Sequence, residues 1–472
     1  MEQDGFMPVE SLLKIKLRLS AALDRHLSGK SLNYRQVIAI FVPLLFDQLS
    51  NSVITFFNTA MISSSGEAEI AAVSMVDSIN VIMLNIFIAL ATGGTVLVAQ
   101  YTGAGKREQV FTTAANSISA MAVVSIAAGA VFAAFSEPIL TFLFKSAERE
   151  VLVRAKMYLT GSALTYPLVA LIDAVCGVLR GTGDTKSSLW LYLIRNGSYL
   201  IFNIAFLRVF RMGITGLIIS MFLSRALGML CSFIYITAIH KRIALRIKDI
   251  ARIDVNMQKR LMLVGIPIAA EQVFFNAGKL ITQTFIVKLG TGAVAVNAIS
   301  MSFLVLLEVG GLAFSLAIIP VVGQCVGSGD YNSARKYVRV FLILSSLSLG
   351  VTGLIMLPLL SPLIGLFSPA AEIIPAIKLL CYASLVTAPL FWSISFVSPA
   401  ALRAAGDARF ALLTALGSMW TLRVVMGYVL GVILPFGIYG IWAAMFIEWL
   451  FRGSIFLIRL RGKRWLSHRL VD

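Results

Sequence analysis

"AQYTGAG" at residues 99–105 returns 224 positions later as "GQCVGSG" at 323–329. Both stretches keep a Gln and a Gly-x-Gly. The glycines suit a tight turn at a helix end better than a phosphate loop, since no Gly-Lys-Ser/Thr follows. Pro43 with Asp47 and Gln48 is matched at the same offset by Pro267 with Glu271 and Gln272. "TYPL" (165–168) is matched by "TAPL" (387–390), "RGTGDTK" (180–186) by "RAAGDAR" (403–409), and "GITGLIISMF" (213–222) by "GIYGIWAAMF" (437–446), at offsets of 222, 223 and 224. Five correspondences in one order at nearly one spacing mark an internal duplication.

Composition says what is duplicated. Hydrophobic residues make up 58% of the chain and charged residues 13%, and the mean hydropathy is +0.88, far from the balance of a water-soluble domain. Apolar runs of about 20 residues or more are long enough to cross a bilayer as helices. The alternation of a membrane barrel is absent, which leaves helices as the way to satisfy the backbone in lipid. The runs fall at 36–62, 70–101, 110–135, 152–179, 187–210 and 213–239, then at 261–287, 294–326, 337–365, 373–401, 409–434 and 437–458. The expected fold is an all-α membrane protein of twelve transmembrane helices in two parallel six-helix repeats. An even number of spans per copy starts both copies from the same side, and such halves enclose a cavity that opens by rocking.

The organisation predicted is a basic leader at 1–35, an N-terminal lobe at 36–239, a linker at 240–260, a C-terminal lobe at 261–460 and a tail at 461–472. Positive loops stay cytoplasmic. The leader, 105–107, Arg180 with Lys186, the linker, 334–336, Arg403 with Arg409 and the tail fall on one side, while Lys145, Arg149, Arg208, Arg211 and Lys288 are the few on the other. Both termini are therefore expected in the cytoplasm, with the protein in a bacterial inner membrane. The leader reads as a solvated tail rather than a secretory signal, with a surface helix at 11–23 as the alternative. The same rule accounts for most of the net charge of +17, so nucleic acid is not an expected partner.

Cys176, Cys231, Cys325 and Cys381 stand singly, without zinc or redox spacing, and read as packing residues. His26, His240 and His468 fall in polar segments, which leaves buried proton chemistry to carboxylates. No nucleophile–base pair or paired metal ligands point to an enzyme. No nucleotide motif is present, so an ion gradient or a partner must supply the energy.

Twelve helices in duplicated halves, with Arg-x-x-Gly-Asp after the fourth of each and Gln-x-x-Gly-x-Gly after the second, resemble the multidrug and toxin compound extrusion (MATE) family over residues 36–460. The resemblance implies two lobes forming a V around a central cavity, and export of small, often cationic amphipathic compounds by proton or sodium antiport. Family members often carry an aspartate before Thr-x-Met late in the first helix. Here "NTAM" puts Asn58 in its place, and an amide does not titrate. Asp47 lies eleven residues earlier, about three turns back along the same helix face.

A mid-span carboxylate costs about 2.5 to 3.5 kcal/mol on insertion scales and should face a cavity or a partner. Asp47 and its mate Glu271, each followed by a Gln (Gln48, Gln272), are the leading cation or substrate ligands. Pro43 and Pro267, one turn earlier, are candidate hinges. Lys279 and Glu308 are opposite charges in the second half, expected either as an ion pair or as coupling groups. Asp173 and Asp77 lack acidic mates, Asp173 aligning near Ser395 or Phe396. Asp184 and Asp407 read as helix N-caps. Phe391, Trp392 and Trp420 offer aromatic faces, with packing toward lipid the commoner use.

The expected function is cation-coupled antiport of small amphipathic, cationic compounds by a monomer. No cofactor is expected, and protons are favoured over sodium because Asp47 has amides and a hydroxyl near it but no second acid. The alternative is a lipid-linked precursor flippase, whose cavity would draw on arginines such as Arg195, Arg225 and Arg423.

Overall fold

The computed structural model describes residue 24 and residues 27–62, 67–144, 148–240, 243 and 245–471, except the side chains of 53–62, 67, 68 and 247. The segment at 11–23, His26, Lys145 and the Asn58 side chain lie outside the described residues. Every regular element within them is helical. The first half runs α1 (Tyr34–Ile62), α2 (Glu67–Gly103), α3 (Arg107–Ala134), a short α4 (Ser136–Leu143), α5 (Arg149–Leu164), α6 (Tyr166–Thr182), α7 (Thr185–Asn203) and α8 (Gly213–Ile234). The second runs α9 (Val255–Lys288), α10 (Thr291–Gly327), α11 (Tyr331–Gly365), α12 (Ile374–Thr387), α13 (Ser393–Ala404), α14 (Ala408–Ser418) and α15 (Gly437–Arg461).

Helices α5 and α6 form one pass bent by 41°. In the second half α12 and α13 join through a π-helical turn, Ala388–Trp392. "TYPL" and "TAPL" are these breaks: Pro167 and Pro389 each lack the N–H that a continuous helix would use. With each broken pair taken as one pass, the chain makes six passes per half.

Among the described residues nine helices are long and apolar enough to cross a membrane, ten with the bent pair. The passes at α1 and α7 complete the set, and their polarity has a physical reason. Their polar faces turn toward each other, with Asn196 Nδ2 on α7 donating to Asn51 Oδ1 on α1 at 3.0 Å.

The two lobes meet through α2, α9 and α10. Helices α2 and α10 cross backbone to backbone: a Cβ on Gly103 would run into the Gln324 carbonyl, and one on Gly327 into that of Gln100. Small residues permit such an approach. Only the second glycine of each Gly-x-Gly therefore serves the turn, Gly105 at φ +70° and Gly329 at φ +76°. The first is a packing glycine, which corrects the expectation from sequence. The glutamines of the motif stitch the crossing. Gln100 Nε2 donates to Ala404 O at 2.8 Å, and Gln324 Nε2 donates to Gly181 O at 3.1 Å.

The segments just ahead of α1 and just after α15 close over this crossing. Ahead of α1, Leu32 O accepts from Tyr337 Oη at 2.6 Å and the Lys30 N–H donates to Ser333 Oγ at 3.2 Å, both on α11, while Ser31 Oγ lies 2.8 Å from Ser328 Oγ. After α15, the Leu470 N–H donates to Gln100 Oε1 at 3.0 Å, and Val471 packs with Leu97, Tyr101, Met257 and Leu261. Each of these two segments thus seals against the other lobe. Asp184 caps α7 by accepting from the Ser187 N–H at 3.2 Å. Asp407 stands at the start of α14 without a cap bond, because Arg459 Nε reaches its carboxylate at 2.8 Å.

Candidate functional site

Asp47 follows Pro43 by one turn on α1 and is 5% exposed. Its one hydrogen bond among the described residues is long, from Asn51 Nδ2 at 3.5 Å. From Asn51 a polar chain continues across the lobe. Asn51 Oδ1 accepts from Asn196, Asn196 Oδ1 accepts from Arg195 Nε at 3.0 Å, and Arg195 Nη1 stands 3.8 Å from Asp173 Oδ1 on α6. Asp173 accepts a hydrogen bond from Tyr192 Oη at 2.9 Å, and the same oxygen accepts from Arg180 Nη2 at 2.7 Å. Arg195 also lies over the Tyr192 ring, 4.8 Å from its centroid. Asp47 and Asp173, singled out separately in the sequence, are thus joined. Arg180, Arg195 and Asp173 are the charges that act on Asp47.

Asp77 belongs to a different knot. It accepts from Tyr158 Oη at 3.0 Å and Asn80 Nδ2 at 3.3 Å, and Asn80 Oδ1 accepts from Tyr166 Oη at 2.8 Å and Ser162 Oγ at 3.0 Å. Arg225 Nη1 donates to Thr165 Oγ1 at 2.5 Å, at the bend itself. These bonds tie α2 to both arms of the broken pass and hold its angle. Arg195 and Arg225, which a flippase would turn to a lipid phosphate, are engaged inside their own lobe.

The C-terminal lobe uses its matching residues differently. Glu271 is paired directly with Arg403 Nη2. By sequence, Arg180 and Arg403 belong with the loop charges. Both do lie at helix ends, but they turn inward, because a neighbouring helix offers a partner. Arg403 reaches Glu271 on α9, whereas Arg180 is taken by Tyr192. The residue 223 positions after Tyr192 is Ala415, which has no hydroxyl to hold an arginine. Repeat-related acids therefore end up locked in one lobe and loosely held in the other.

A second buried cluster joins Arg423 to two residues that the sequence does not single out, Glu448 and Arg452. Glu448 on α15 is fully buried and pairs with Arg452 Nη1 at 2.8 Å, and Arg423 Nη1 stands 3.9 Å away. Arg452 Nε donates to Ser395 Oγ at 2.7 Å, so the place matching Asp173 is filled by a serine and the acid comes from another helix. The signal was present as opposite charges at i and i+4 inside an apolar run.

Lys279 and Glu308 line one cavity of about 270 Å³ with Phe275, Phe396, Arg423 and Trp442. No salt bridge joins them, so of the two alternatives the ion pair is not met; the Lys279 ammonium lies over the Phe275 ring, 5.0 Å from its centroid. Trp392 is buried and stacks on Phe396 at 4.8 Å rather than facing lipid. Gln48 and Gln272 are half-buried. Pro43 and Pro267 lie inside unbroken helices.

The MatE family model matches residues 43–206 and again 267–429, the two halves in register with the duplication. The chain belongs to the MATE family. It is 27% identical over 420 residues to the uncharacterized transporter YisQ of Bacillus subtilis, covering 87% of this chain and 90% of that one. It is 25% identical over 443 residues to the probable multidrug resistance protein NorM of Thermotoga maritima, covering 91% and 93%. The fold matches an outward-facing MATE family transporter with a TM-score of 0.81 at 15% identity, over 92% of this chain and 96% of that one. It also matches the Vibrio cholerae MATE transporter VcmN with a TM-score of 0.82 at 19% identity, over 96% and 99%. The family's members are transporters, and this chain is an integral membrane transporter of two six-helix lobes.

Proposed function

We propose that this MATE protein is a proton-coupled antiporter that exports small amphipathic compounds, cationic ones among them, by alternating access. One observation carries the reading: of the two repeat-related acids, Glu271 is spent on Arg403, while Asp47 keeps a single long hydrogen bond to Asn51. A carboxylate that must gain and lose a proton in each cycle has to be loosely held, and Asp47 meets that requirement where Glu271 does not. Asp173, at the far end of the polar chain, completes the N-lobe ion site, with Arg195 between the acids as the group that senses their charge. Sodium would need several oxygens gathered at one point, and the groups beside Asp47 are strung along a chain instead. Relatives named as multidrug resistance proteins support the substrate class. The protein acts as a monomer in the bacterial inner membrane with both termini in the cytoplasm. Pro43 and Pro267 let the first helix of each repeat flex during the exchange.

The test is dye transport in proteoliposomes with proton and sodium gradients imposed separately. Asp47→Asn, a mimic of the protonated form, should fold and bind dye yet lose proton-driven export, and Asp47→Glu should keep part of it. Full proton-driven export by the Asn variant would remove Asp47 from the coupling step.

A further inference from the structure

The C-lobe cavity is unlike anything the duplication requires. Lys279 and Glu308 have Thr55 and Leu84 224 residues earlier, and Arg423 has Leu200 at the offset of 223 that holds for its helix, none of them charged. The neighbouring ionic groups are already matched: Glu448 with Arg452, and Glu271 with Arg403. Arg423 is 6% exposed and makes no hydrogen bond among the described residues, its closest carboxylate oxygen being the one at 3.9 Å on Glu448. It sits on the π-helical turn Met419–Val425, a break that re-aims side chains out of the regular helical direction. Lys279 is exposed on the cavity wall and has an aromatic ring for company. Trp449 Nε1, on the same wall, is a buried donor without an acceptor. Three donors, two of them cationic, thus share a cavity whose one acid is Glu308.

We propose that this cavity is a binding site for the acidic group of an aromatic compound, a carboxylate or sulfonate held by Lys279 and Arg423 with its rings between Phe275, Phe396 and Trp442. The proposal goes beyond the export reading by adding an anion-selective subsite in the lobe that does not carry the proton-exchanging aspartate. Size sets the ligand class. An apolar cavity of about 150 Å³ accepts benzene, so 270 Å³ suits two fused rings better than an acyl chain. Charge-assisted hydrogen bonds to such an anion are stronger than neutral ones, so the arginine and lysine discriminate by charge while the ring walls do not.

The test is equilibrium binding to the purified protein in nonionic detergent, read by tryptophan fluorescence and independent of any gradient. Naphthalenesulfonate, naphthylmethanol and naphthylmethylammonium share a ring system and differ in charge. The sulfonate should bind at least about tenfold tighter than the alcohol, a step of about 1.4 kcal/mol, and the ammonium weakest. Lys279→Gln should erase that preference without weakening the alcohol. Glu308→Gln should tighten the sulfonate, a gain that misfolding does not mimic. Equal binding of the three probes, a weaker sulfonate in Glu308→Gln, or displacement of the sulfonate by phosphatidylglycerol but not by naphthoate would each overturn the proposal, the last by assigning the site to a lipid headgroup. A failure of dye export in proteoliposomes would leave these affinities standing.

Discussion

Arg180 and Arg403 end the same pass of the two repeats, 223 residues apart, and hold different partners: Arg180 a tyrosine hydroxyl, Arg403 the carboxylate of Glu271. The difference rests on one hydroxyl. Tyr192→Phe would release Arg180 and let it swing toward Asp47, remaking in the N-lobe the pair that already exists in the C-lobe. The expected outcome is a protein that folds but loses most proton-driven export, with part of it restored by adding Arg180→Gln. Dye efflux in proteoliposomes across an imposed pH gradient checks both.

The Glu271–Arg403 pair should behave as scaffolding. Removing one member of a buried pair costs about 3–5 kcal/mol because the other charge is stranded. Arg403→Gln and Glu271→Gln should each lower thermal stability in detergent, and replacing both together should recover much of it. Dye export by the double variant, measured at low temperature, should retain its response to the proton gradient.

Gly103→Ala and Gly327→Ala place a methyl against a backbone carbonyl of the facing helix, where neither side has a flexible end that can yield. Overpacking of this kind costs about 1–3 kcal/mol and should part the lobes at the crossing. Ser31 and Ser328 report it. Cysteines at these two positions, whose hydroxyls are 2.8 Å apart, should cross-link readily in the parent and slowly in either alanine variant.

Acid should loosen the same crossing. Partial burial pushes the Asp330 carboxyl up, but hydrogen bonds from Ser333 and Ser31 outweigh it and hold the group below its ordinary value. A lowered folded-state value means stability that is present above the ordinary carboxylate range and lost as pH falls through the lowered one. Thermal stability in detergent should hold from neutrality to about pH 4 and fall below it. Asp330→Asn should show the low-pH stability at neutrality.

The sequence made the scaffold legible because the duplication repeats residues that backbone geometry demands. Pro43 and Pro267 fix helix register, "TYPL" and "TAPL" mark broken passes, and Gly105 and Gly329 mark turns. Asp47 and Asp173 were visible as unusual acids in apolar runs. Their connection was not, since Asn51, Asn196 and Tyr192 are unremarkable residue types whose meaning depends on which helix they face. Arg180 and Arg403 were assigned to the loops because a charge at a helix end is ordinarily solvated, and nothing in a linear pattern tells an outward side chain from an inward one. Glu448 and Arg452 could have been read from their i,i+4 spacing. The cavity of Lys279, Glu308 and Arg423 could not, because its closure depends on a π-helical turn that shifts Arg423 off the helical period.

The exchange of flanking segments across the crossing reaches into biosynthesis. Residues 28–33 are made well before the side chains they bind: Ser328, Ser333 and Tyr337 follow some three hundred positions later, and Gln100 waits longer still for Leu470. The N-terminal half must therefore sit in the bilayer unsealed until the second half is inserted, because Leu470 and the α11 side chains that close the crossing follow it in the chain. A chain severed within 240–260 would carry on each fragment a clasp for the other, so the halves are built to find one another even when supplied as separate polypeptides.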